Sequence, residues 1–68
     1  MNERKRAAAE YASKQLFTAS EHIREALDTI DLEGLSIDKA TAADLEALRE
    51  RAERTAQRLQ REAREAKR

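Results

Sequence analysis

Residues 28–48 read DTIDLEGLSIDKATAADLEAL, and the only glycine of the chain, Gly34, stands near their middle. A glycine just past a run of helix formers fits the left-handed residue that ends a helix. Leu35 is then placed to close back on Ile30, the apolar contact that accompanies such an ending. Beyond it, Ser36, Asp38 and Thr41 can each cap a second helix, and Thr41 with Asp44 makes a capping-box-like T-x-x-D. No proline interrupts either side. The reading is a first helix near residues 3–32, a turn near 33–38 and a second helix near 39–67, in one helical-hairpin domain over 1–68.

Upstream of the turn, apolar residues fall at 9, 12, 16, 19, 23, 26 and 30, with steps of three and four. This is a heptad seam of coiled-coil type. Ala9, Leu16, Ile23 and Ile30 occupy one seam position and Ala12, Ala19 and Ala26 the other. Alanine at every second layer lets a neighbouring helix come close. Downstream, Leu45, Leu48, Ala52, Ala56, Leu59, Ala63 and Ala66 form a row that thins toward the C-terminus. Phe17, Leu27, Leu32, Leu35 and Ile37 fall outside what a single helix–helix contact covers. Surplus apolar surface of this kind implies association, most simply a twofold dimer of hairpins forming a four-helix bundle.

Composition points the same way. Charged residues make up 41% of the chain, valine is absent, and only thirteen side chains are large and apolar, so helix formers dominate and an all-α fold is expected. The absence of cysteine excludes a disulfide staple, a thiolate zinc site and a thiol nucleophile. Residues 1–10, MNERKRAAAE, lack the apolar core of a signal peptide, and no apolar run approaches the roughly 18 residues of a membrane span. A cytoplasmic protein with no membrane partner is expected.

Net charge is zero, yet the charges are segregated. Residues 1–6 carry +2 and residues 54–68 carry +4, whereas residues 21–50 hold nine acids against three bases. In an antiparallel hairpin both chain ends form one basic pole and the turn forms an acidic one. Basic groups at a helix C-terminus offset the helix dipole by roughly 0.3–1 kcal/mol each. Arg4, Lys5 and Arg6 sit at the wrong end of the first helix for that account. Arg51, Arg54, Arg58, Arg61 and Arg68 add a stripe along the second helix, and together these eight residues are candidates for binding phosphate. The ordinary account of the stripe is local pairing of Glu50 with Arg54, Arg58 with Glu62 and Arg61 with Glu65, at about 0.2–0.5 kcal/mol per pair.

Nothing in the sequence assembles a catalytic or metal centre. His22 is the sole histidine, no His–x–x–His or Glu–x–x–His spacing exists, and Glu21, Glu25 and Asp28 share the outer face of its helix. Ser13, Lys14, Thr18 and Ser20 carry nucleophile-type groups, but a smooth helix offers neither a substrate pocket nor oxyanion donors. No enzyme activity, cofactor or small-molecule substrate is expected. Tyr11 and Phe17 are the only aromatics, and with Leu27, Leu35 and Ile37 they are the candidate protein-interface residues.

In length, helix count and short turn the chain resembles the Rop-like hairpin dimers, whose four-helix bundle binds paired RNA loops. The likeness is one of layout, and no functional residue carries over. The leading expectation is a non-enzymatic regulatory or inhibitor protein that binds another macromolecule, a protein before a nucleic acid. RNA or DNA binding through the basic pole is the alternative, and a structural oligomerisation module is the third reading.

Overall fold

Asn2 starts the first helix. Its backbone is extended, and its side-chain oxygen accepts a hydrogen bond from the Lys5 backbone N–H at 2.8 Å, which satisfies one of the donors a helix start leaves open. From there α1 runs Glu3–Leu32 without interruption, and α2 runs Lys39–Glu65. The computed structural model describes residues 2–65. Ala66, Lys67 and Arg68, which the sequence reading includes in the second helix or the basic pole, lie outside the described residues.

The turn ends α1 as the glycine implies. Gly34 has φ +64°, the Leu35 N–H donates to the Ile30 carbonyl at 2.9 Å, and the Gly34 N–H donates to the Asp31 carbonyl at 3.3 Å. These are the paired bonds of a Schellman ending. Of the three candidate caps for α2, Asp38 takes the role. One of its carboxylate oxygens accepts from the Thr41 N–H at 3.2 Å and the other from the Thr41 hydroxyl at 2.7 Å. Thr41 therefore lies inside the first turn, and Thr41–Asp44 does not form the start. The hydrogen bonds from Thr41 hold the Asp38 carboxyl below its ordinary pKa.

The two helices pack along their length into an all-α antiparallel hairpin measuring 49 × 17 × 14 Å. The seam differs from the sequence reading in its second position. Ala9, Ser13 and Ser20 are buried, with Leu16, Ile23, Leu27 and Ile30 half-buried beside them, whereas Ala19 and Ala26 are exposed. Contact with α2 thus uses 13, 20 and 27 in place of 19 and 26, with Ala12 half-buried between the two rows. The serines permit this because they are nearly as small as alanine and their hydroxyls are satisfied. Ser13 Oγ donates to the Glu10 carbonyl at 2.8 Å, and Ser20 Oγ donates to Glu53 Oε1 across the seam at 3.3 Å. The shift also covers Leu27, a larger apolar gain than three methyl groups.

On α2 the row against α1 is Ala42, Leu45, Arg49, Ala52, Ala56, Leu59 and Ala63, of which Ala56 and Ala63 are wholly buried. Leu48 does not belong to it, being 52% exposed. Arg49 takes that layer with a side chain only 18% exposed, its aliphatic stem against the seam and its head between Glu46 at 3.1 Å and Glu53 at 3.6 Å. Three-and-four spacing continued from Ala52 and Ala56 reaches residue 49 before residue 48, which is why the arginine wins.

Candidate interaction surfaces

The seam divides the hairpin into two unlike faces. On one side of the α1 seam stand Arg6, Glu10, Phe17, Glu21 and Arg24; on the other stand Ala12, Ala19 and Ala26. On α2 the corresponding flanks are Glu46, Glu53 and Gln60 against Leu48 and Thr55, with the seam residue Leu59 beside the latter. The Ser20–Glu53 bond, and a hollow shared by Glu10, Ser13, Gln60 and Arg64, bring the two polar flanks to the same side. The two apolar flanks therefore share the opposite side. Down that face run Ala12, Leu16, Ala19, Ile23 and Ala26 of α1 beside Leu45, Leu48, Ala52, Thr55 and Leu59 of α2, all exposed or half-buried.

The five candidate protein-interface residues separate into three places. Leu27, Leu35 and Ile37 line one hollow at the turn, together with Ile30, Asp31, Gly34 and Ala42. Tyr11 is 57% exposed on the outer surface of α1, where an open hollow is lined by Lys14, Gln15, Thr18, Ala19 and His22 as well. Phe17 is half-buried on the polar face. The structure thus gathers the turn residues and keeps the two aromatics apart from them and from each other. Ala19, Ala26 and Leu48 are surface residues that sequence spacing assigns to the inner seam. The clue was the presence of two equally spaced rows, at 12/19/26 and 13/20/27, on a helix whose single partner can cover one.

The basic residues also sort themselves. Arg6 has a side chain only 16% exposed and is ion-paired with Glu3 and with Glu10, the latter at 3.1 Å. This local pairing accounts for a cation at the positive end of α1. Arg4 and Lys5 are exposed beside it. On α2, Arg54, Arg58, Arg61 and Arg64 surround an open trough of about 580 Å³ with Thr55, Gln57 and Gln60. Arg64, which the three-and-four spacing of the stripe passes over, joins these arginines in space. Of the three local pairs expected there, Arg58–Glu62 forms at 3.6 Å, and neither Arg54 nor Arg61 lies within ion-pair distance of an acid among the described residues. Arg51 is exposed, and Arg68 lies outside the described residues.

Two further electrostatic features are local. The hydrogen bond from Arg49 holds the Glu46 carboxyl below its ordinary pKa, and the same bond raises the Arg49 guanidinium. Among the described residues no group of three or more His, Cys, Asp or Glu side chains is placed to hold a metal ion, and no helix is long and apolar enough to cross a membrane. No protein-family model, curated protein or solved structure matches the chain.

Proposed function

We propose that this chain is a small non-enzymatic regulatory or inhibitor protein that works by binding, and that its hairpins pair into a four-helix bundle which presents the remaining surface to a protein partner. One observation carries the reading. Among the described residues, those fully buried between the helices are alanines and serines, while Tyr11, Leu32, Leu35 and Leu48 are more than half exposed and the other large apolar side chains are half-buried. A chain that leaves its large side chains wet gains most by covering them on a partner. The turn hollow of Leu27, Leu35 and Ile37 and the Tyr11 hollow are the surfaces suited to a different protein. Capture of partners on the tagged full chain, with and without nuclease and read by mass spectrometry, tests this. A nuclease-resistant protein partner lost on Tyr11→Ala or Leu35→Ala is the expected result, and unchanged capture by both variants refutes it.

A second reading, RNA or DNA binding, draws support from the trough of Arg54, Arg58, Arg61 and Arg64, where only Arg58 is ion-paired with an acid among the described residues. It requires an affinity that falls steeply with salt and drops when Arg58 and Arg61 are replaced by Gln. No gel shift at low salt ends it. A purely structural oligomerisation module is the reading left if neither kind of partner is captured.

A further inference from the structure

We infer that the apolar face is covered by a second copy of this chain lying antiparallel to the first, with its twofold axis passing close to Ala19 and its turn pole against the first copy's chain-end pole. This deepens the dimer reading above and rests on it.

The first argument is area. The isolated hairpin exposes 5451 Å². A folded monomer of 7.8 kDa exposes about 4,400 Å² on the usual size scaling, so roughly 1,100 Å² is in excess. A stable interface removes about 800 Å² from each partner, which accounts for most of that excess.

The second argument is register. On α1 the row on this face, exposed at Ala19 and Ala26 and half-buried elsewhere, is symmetric to within a residue about Ala19, with Leu16 and Ile23 as the first pair around it and Ala12 and Ala26 as the next. On α2, Leu48 and Leu59 flank a point between Glu53 and Arg54, and so do Ala52 and Thr55. The Ser20–Glu53 hydrogen bond places the level of residues 19–20 beside the level of residue 53. One twofold axis therefore serves both helices. Across it Ala19 meets its own copy, Leu16 meets Ile23, Leu48 meets Leu59 and Ala52 meets Thr55. Small residues at the centre let the layers approach, and leucines on either side fill the space.

The third argument is charge. Two face-to-face twofold arrangements exist, one with the axis along the helices and one with it across them. Both leave every helix antiparallel to its neighbours, so helix dipoles do not choose. The poles do. Hairpins laid turn to turn would stack residues 21–50, with nine acids against three bases, on their own copy. The reversed arrangement sets each acidic pole against a basic one, across helix layers about 8–10 Å apart. That separation is comparable with the Debye length of about 8 Å in physiological salt, so the preference survives screening. At the rim, Arg4 and Lys5 come opposite Glu33 of the second copy. The α2 rim is less favourable, because Asp44 comes near Glu62 of the second copy.

The chain has no cysteine, so Ala19→Cys introduces a single thiol at the position where the axis brings two copies together. Mild oxidation of this variant is expected to give a near-complete disulfide-linked dimer, since Cβ atoms about 4 Å apart suit the bond. Thr18→Cys, on the outer surface of α1, serves as the control and should stay unlinked. If Ala19→Cys links only when mixed with Thr55→Cys, the hairpins lie turn to turn and the orientation is overturned. If sedimentation of the unaltered chain shows a dimer but Ala19→Cys does not link alone or in the mixture, the face is wrong. A unaltered chain that sediments as a monomer at 100 μM refutes the underlying dimer reading itself. Leu48→Glu should weaken dimerisation at least tenfold, and the cysteine experiment does not depend on whether that variant folds.

Discussion

Replacing Gly34 with alanine isolates one term of the fold's energetics. The residue holds φ +64°, and a Cβ built there meets nothing within 4 Å, so no clash contributes. What remains is the left-handed conformation, at about 1–2 kcal/mol for an L-residue with a Cβ. Alanine also narrows the unfolded ensemble, which returns a fraction of that. A net loss near 1 kcal/mol follows, because the bonds from Leu35 to Ile30 and from Gly34 to Asp31 hold only if the residue keeps its conformation. For a chain of this size 1 kcal/mol lowers the melting temperature by roughly 4–8 °C. Gly34→Asn should lose clearly less, since asparagine visits the left-handed region more readily. Thermal unfolding followed by circular dichroism, at one fixed protein concentration because association would shift the midpoint, measures all three. An alanine variant melting with the unaltered chain, or an asparagine variant melting as low as the alanine one, refutes the assignment of this turn. The same variants report on the turn hollow, because Leu35 is positioned by the bond that Gly34 makes possible.

Other outcomes follow from the same geometry. Ala56→Leu places three extra carbons where the side chain is wholly buried, so it should destabilise by about 1–3 kcal/mol in urea unfolding, whereas Ala47→Leu on the exposed side of α2 should change little. The Asp38 and Glu46 carboxyls are held below their ordinary pKa values, so they stabilise the fold above those values, and the contribution disappears as pH falls through the depressed folded-state values. Urea midpoints should accordingly decline below about pH 4. Asp38→Asn can still accept from the Thr41 N–H but has one acceptor oxygen for two bonds and no charge, so it should lower the neutral-pH midpoint modestly and flatten that decline, and an equally steep decline would contradict the cap's role. Ser20→Ala removes the hydroxyl that reaches Glu53 while keeping a small side chain, so a loss of about 1 kcal/mol or less is expected by the same unfolding assay.

The helices and their turn were legible because their signals are local. Gly34 in a chain otherwise free of glycine, the absence of proline, and an acid at residue 38 each act on the backbone within a few residues. The cap was narrowed to Ser36, Asp38 or Thr41 and no further, since all three are chemically able to accept the bond and the path of the turn selects among them. Charge segregation was equally legible, because an antiparallel hairpin joins the two chain ends whatever its packing.

What sequence spacing could not settle was rotation about the helix axes. On α1 the rows at 12/19/26 and at 13/20/27 both continue Ala9, Leu16, Ile23 and Ile30, and a rotation of a few tens of degrees exchanges them. Only the packed pair reveals that Ser13 and Ser20 find acceptors, that Leu27 is covered and that Arg49 lies along the seam in place of Leu48. That rotation turns Ala19, Ala26 and Leu48 outward and collects the apolar flanks on one face. A sequence determines which residues can lie on a helix stripe. Which stripe is buried depends on the sum of contacts and hydrogen bonds across two helices at once, and that sum exists only in the tertiary structure.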